Sequence, residues 1–127
     1  PPVPLAQMML NVNMDMIARG DKGELYAAGT HYTPRLRPPL ERAAAGATGI
    51  TLRFGHDTPD LPRQDNWTSQ SDHGAFHQAG RPFVYFGVED HPDYHRPTDD
   101  VERVNPAFYT AAVDLIIRAL EALDSTR

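Results

Sequence analysis

Val12, Met14 and Met16 alternate with Asn11, Asn13, Asp15 and Ile17, the period-two pattern of a strand with a polar side carrying Asp15 beside two Asn. Leu5 to Leu10, just before it, reads as the last turns of a helix. Gly20 and Gly23 flank a turn, and Glu24 to Ala28 reads as a second strand. Pro34 suits the first turn of a helix running to about Ala45, with Pro38 and Pro39 demanding a kink or a late start and Gly46 placed for a left-handed cap. Ile50 to Phe54 is a third strand. Gly55 to Gln70 shows no periodicity, and a loop of that length in a compact domain is commonly a functional one.

The second half is more regular. Ser71 is placed to cap a short helix with Asp72 in its first turn, closed by Gly80. Pro82 to Gly87 is a continuous apolar run of strand length, as expected where helices cover both faces of a sheet. A polar loop spans Glu89 to Asp100. Asn105-Pro106 then supplies an N-cap and a first-turn proline. In the last helix Phe108, Ala112, Leu115, Ala119 and Leu123 mark one apolar face, widened by Ala111, Ile116 and Leu120. Strands alternating with helices predict an α/β fold: a mixed, mostly parallel sheet sandwiched between helices, with ligands gathering beyond the carboxyl ends of the strands. Asp15 lies near one such end, and the loops after Phe54 and Gly87 leave from two others.

Composition narrows the function classes. The 127 residues are 40% hydrophobic and 23% charged, the balance of a globular domain, with 12 Pro clustered between the elements. Net charge is −5 and the basic residues are scattered Arg apart from Lys22, which argues against a nucleic-acid partner. No apolar run approaches the roughly 20 residues that span a bilayer. Cysteine is absent, so thiolate metal sites and disulfides are excluded and the compartment is left open. The start at Pro1-Pro2-Val3-Pro4 reads as a boundary inside a larger domain.

Three groups of residues have chemical potential. Glu89 to Asp100 is dense in His and Asp, a composition able to supply both a metal ligand and the carboxylates that orient it. Pro92 and Pro97 prevent a helical pairing of His91 with His95, so at most one reaches a metal; a solvated acidic loop is the plainer alternative. Ser71-Asp72-His73 makes a poor hydrolytic triad, because neighbours on one helical turn point in different directions. A helix cap with an exposed His is the bland reading. Asp15, at the end of an otherwise apolar strand, calls for a cation or a partner, unless it simply caps the following turn. Trp67, with Phe54, is either a pocket wall in the long loop or ordinary packing beneath it.

Taken in order, Asn13-Met14-Asp15-Met16-Ile17, Ser71-Asp72-His73 with Phe76 and Gly80-Arg81-Pro82, and Asp93-Tyr94-His95 with Pro97, Thr98 and Asp99 resemble the co-catalytic zinc aminopeptidases of peptidase clan MH, over about Leu10 to Leu123. Bacterial leucyl aminopeptidases and aminopeptidase Y are of this type, and glutaminyl cyclase and the transferrin receptor ectodomain are relatives. The resemblance implies two zinc ions beyond the strand ends, one ligated by Asp15 and the other by His95. It implies an oxyanion-stabilising role for Tyr94, support of the metal-bound carboxylate by Ser71, and site-shaping roles for Asp72 and His73. The substrate implied is a peptide and the setting secreted or periplasmic.

The remaining ligands and the general base of such enzymes precede the segment matching Asp15. The expectation is therefore that residues 1–127 form the C-terminal portion of a zinc peptidase catalytic domain, inactive alone. A sheet cut in this way exposes an edge that invites homo-oligomers. A single-zinc glutaminyl cyclase-like enzyme and a non-catalytic receptor-type module are the alternatives.

Overall fold

In the computed structural model, β4 (Phe83–Gly87) is, among the described residues, the one strand buried along its whole length. Its apolar run has partners on both sides, β1 (Asn11–Met14) parallel to it and β2 (Glu24–Ala28) antiparallel, with β3 (Thr51–Phe54) parallel to β2 at the far edge. The sheet order is β1-β4-β2-β3, so two of its three pairings are parallel and the sheet is mixed. The structure describes residues 3 to 126; Pro1 and Pro2, on which the expectation about the chain start falls, lie outside the described residues, as does Arg127.

Side chains alternate across β4 and build two cores. Val84 and Phe86 join Leu25 and Ala27 beneath α1 (Arg37–Ala45) and α3 (Pro106–Asp124), which pack against one another. Phe83 and Tyr85 face the other way, onto Trp67 and Ala28, on the side covered by the short α2 (His73–Gln78). This is the expected α/β arrangement, with helices on both sheet faces. Each fully buried side chain of the Phe86 or Leu115 kind contributes about 1.5–3 kcal/mol relative to exposure.

α3 follows its pattern closely. Asn105 accepts a hydrogen bond from the Phe108 amide at 3.1 Å, Pro106 occupies the first turn, and Phe108, Ala112, Leu115, Ala119 and Leu123 are all buried. Ile116 widens that face as expected, whereas Leu120 turns to solvent at 41% exposure. The Pro34 helix starts late: residues Pro34–Leu36 form a 3-10 turn and the α-helix proper begins at Arg37, because Pro38 and Pro39 have no amide hydrogen to give the carbonyls one turn earlier and fit only in a first turn, where amides need no intrahelical partner.

Other local expectations are corrected. Leu5 to Leu10 is only a 3-10 turn at Leu5–Gln7 before the chain extends into β1. β1 stops at Met14 rather than continuing, since Met16 takes a positive φ of 59° that turns the chain. Gly46 ends its helix in a right-handed conformation, φ −92°, so the left-handed cap does not form there. Phe54 packs in the core with α1 and under Arg37, on the sheet face opposite Trp67, so it is no part of a pocket wall. Because β2 and β3 run against β4, the loop after Phe54 also leaves from the opposite end of the sheet to the loop after Gly87. Gly55 and His56, both with positive φ, turn it back, and the His56 ring comes to lie on Trp67 with centroids 3.8 Å apart.

Candidate metal centre

β1 and β4 are parallel and in register from Asn11 with Phe83 to Met14 with Phe86, so their carboxyl ends coincide. The Asp15 amide adds one more rung by donating to the Phe86 carbonyl at 3.1 Å, which fixes Asp15 immediately beyond the sheet. The loop leaving β4 carries Tyr94 and His95 back over the same end. A cavity of about 310 Å³ opens there, and Asp15, Trp67, Tyr94 and His95 all line it. Residues distant in sequence are thus gathered at one mouth. Asp15 and His95 are both exposed to it, while Tyr94 lies stacked on the His95 ring with centroids 3.8 Å apart.

Ser71 joins this group from behind. It does not cap α2: its hydroxyl donates to Oδ2 of Asp15 at 3.1 Å and accepts from the Asn13 amide at 3.0 Å. The cap position belongs to Asp72, which makes no side-chain cap hydrogen bond and stands exposed outside the cavity. His73 is fully buried. Its Nε2 lies 2.8 Å from the Trp67 carbonyl, so Nε2 bears the proton, and Nδ1 then accepts from the Asn13 amide at 3.2 Å. Burial is the main reason its pKa is lowered, and the neutral imidazole is the form held. Ser71 and His73 therefore bond to different partners and make no triad. His73 instead ties Asn13 to the carbonyl of Trp67, a cavity wall.

The loop itself is braced by charge. Asp93 accepts from the Thr98 hydroxyl at 2.6 Å and from Nη1 of Arg19 at 2.7 Å, and these two donors, Thr98 first, hold its carboxyl down to about 2. His95, between Asp93 and Thr98, takes φ 55°. Among the described residues the non-glycine positions with positive φ are Met16, His56 and His95: Met16 and His95 line the cavity and His56 stacks on its Trp67 wall. Backbone held in that region costs on the order of 1–3 kcal/mol per residue, and such strain collects at functional sites.

Several contributors escape a reading of the sequence. Tyr85 lines the cavity, its hydroxyl 3.4 Å from the Asp15 carbonyl, and burial drives its pKa far above the ordinary tyrosine range. Alternation along β4 places it on the α2 face with Phe83, a signal available from the run itself. Gly87 is required beneath it, since a Cβ there would stand 2.7 Å from the Tyr85 oxygen. Asp90 and Asp99 add further carboxylates to the lining. Arg19 was legible only indirectly, as the cation that a loop carrying Glu89, Asp90, Asp93, Asp99 and Asp100 must find somewhere.

Comparison with known families settles the relationship. The sequence model described as peptidase family M28 matches residues 1–120. The chain belongs to peptidase family M28. No curated protein matches it, and neither does any solved structure. As an M28 chain it sits in a family of hydrolases acting on peptide bonds, generally zinc-dependent. Its cavity donors suit zinc in kind, an aspartate carboxylate with one oxygen already oriented by Ser71 and an imidazole lining the same cavity. They are short in number: among the described residues no three His, Asp or Glu side chains are grouped closely enough to hold an ion.

Proposed function

We propose that this M28 chain is the C-terminal portion of the catalytic domain of a zinc-dependent exopeptidase of the aminopeptidase type. The observation that carries the proposal is the meeting of Asp15 and His95 on one cavity at the carboxyl ends of parallel strands. A catalytic zinc takes about three protein ligands and keeps a position for water. Asp15 and His95 would each give one ligand to a different ion, with the remaining ligands and the general base supplied by sequence preceding Asp15. Bound zinc would supply an activated water and a polarised scissile carbonyl.

This chain's own residues then have definite tasks. Ser71, hydrogen-bonded to Oδ2 of Asp15, fixes the orientation of that carboxylate. Tyr94, at the cavity mouth, is the donor for the oxyanion that develops as the carbonyl is attacked. Trp67, Met16 and Val88 give the cavity apolar walls against which a peptide side chain packs. Among the described residues no helix is long and apolar enough to cross a membrane. A secreted or periplasmic setting belongs to the same proposal.

The test is turnover of aminoacyl anilides by the full-length protein, with chelator and with zinc restored. The proposal expects hydrolysis abolished by chelation and recovered with zinc, and no turnover by residues 1–127 alone. Chelator-insensitive hydrolysis would contradict it. Conversion of an N-terminal Gln peptide to its cyclised product, read by mass spectrometry, would reassign the site to a glutaminyl cyclase chemistry. A full-length protein with neither activity nor zinc would be a non-catalytic module.

A further inference from the structure

We propose that Arg19 is a positioning residue that clamps the Tyr94–His95 loop to the segment carrying Asp15, and so sets the placement of one donor against the other. The inference rests on the metal reading of Asp15 and His95 given above. Nη1 of Arg19 lies 2.7 Å from Oδ2 of Asp93, 3.1 Å from Nδ1 of His91 and 3.5 Å from Oδ1 of Asp99, and Nη2 lies 3.8 Å from Asp21. The guanidinium thus holds the loop on both sides of His95. Its side chain is only 11% exposed, so the charge is removed from most of its water and depends on these partners.

The base of the clamp is itself fixed. The Ala18 carbonyl accepts from the Asn105 amide at 3.0 Å, which ties the residue before Arg19 to the start of α3. On the other side Gly20 lies so close to the Phe108 ring that no Cβ fits. Arg19 therefore projects from a backbone held against α3 at both neighbours. The loop end is shaped to receive it: Asp93 offers Oδ2 to Arg19 while Oδ1 accepts from Thr98, closing the turn that contains Tyr94, His95 and Arg96. Nη1 alone faces Asp93, His91 and Asp99 while Nη2 faces Asp21, so a lysine at position 19, one compact charge on a shorter stem, would keep only part of this set.

The experiment compares wild type, Arg19→Ala, Arg19→Lys and Asp93→Asn in the full-length protein by amide hydrogen exchange and by zinc affinity from chelator competition. R19A and D93N are expected to raise exchange more than about tenfold at residues 91–99 while β4 and α3 keep their protection. Zinc affinity should fall by about tenfold, the low end of the loss when a group bonded to a ligand is removed, because Arg19 and Asp93 act on His95 only through the loop, with R19K recovering part of it. Unchanged exchange at 91–99 in both R19A and D93N overturns the clamp. A uniform rise across the chain with a lowered Tm and unchanged zinc affinity also overturns it, leaving Arg19 a stability residue only. Wild-type protein without zinc overturns the metal reading instead, and the exchange data still decide whether the loop is held by Arg19.

Discussion

The Ser71 hydroxyl donates to Oδ2 of Asp15 at 3.1 Å, joining the start of α2 to the end of β1. The same oxygen accepts from Asn13, so one hydroxyl orders two polar side chains, one within β1 and one just beyond its end. Ser71→Ala should cost about 0.5–1.5 kcal/mol in urea denaturation, the ordinary net worth of such a hydrogen bond. In the full-length enzyme its effect on zinc affinity should be larger, about 10- to 100-fold. An alanine variant with wild-type zinc affinity would reduce Ser71 to a packing role.

His73 predicts a pH dependence whose sign follows from its lowered pKa. The unfolded chain binds a proton near pH 6.5 while the folded imidazole resists it. The contribution to stability is therefore complete above about pH 6.5 and is lost as pH falls through the folded value. Denaturation midpoints should drop between pH 7 and pH 5, and His73→Phe should flatten that slope whatever its absolute stability. A slope unchanged by the substitution would show that the proton is taken up elsewhere.

Local periodicity made most of the fold readable. The α3 face from Phe108 to Leu123, the Asn105 cap, β2 and the buried β4 run all depend on nearest neighbours and burial, which the pattern of residues encodes directly. The misplacements have tertiary causes. Ser71 has the right chemistry for an N-cap, but Asp15 across the sheet end takes its hydroxyl. Nothing local distinguishes Phe54 from a pocket residue, because the antiparallel β2–β4 pairing decides which end of the sheet it leaves. That Asp15, Tyr94 and His95 share a site followed from the order of motifs in the family resemblance and Trp67 was a candidate from the long loop alone, whereas Arg19 became visible only when the loops were placed in space.

Gly20 predicts a steric cost. A methyl group there meets the Phe108 ring, itself only 4% exposed in the core, so Gly20→Ala should destabilise by about 1–3 kcal/mol, the range for overpacking. The shift should also disturb the adjacent Arg19 and raise exchange in residues 91–99. A neutral substitution would mean that α3 yields easily at its first turn.

β1 is an edge of the sheet, hydrogen-bonded to β4 on one side only, with Met9 and Met14 exposed at 56% and 49% beside and within it. An open edge with apolar side chains is a template for pairing. Residues 1–127 in isolation should therefore self-associate with rising concentration, and Met14→Lys should reduce it. Multi-angle light scattering of a constant monomer at high concentration would refute this.

The most direct test of the account is zinc content per chain of the full-length protein, determined by elemental analysis for wild type, Asp15→Asn and His95→Gln after exhaustive dialysis. Two ions in wild type and the loss of one in each variant, with the fold intact by circular dichroism, is the predicted result. Equal zinc in all three proteins, or none in wild type, would contradict the assignment of Asp15 and His95 to a shared metal centre.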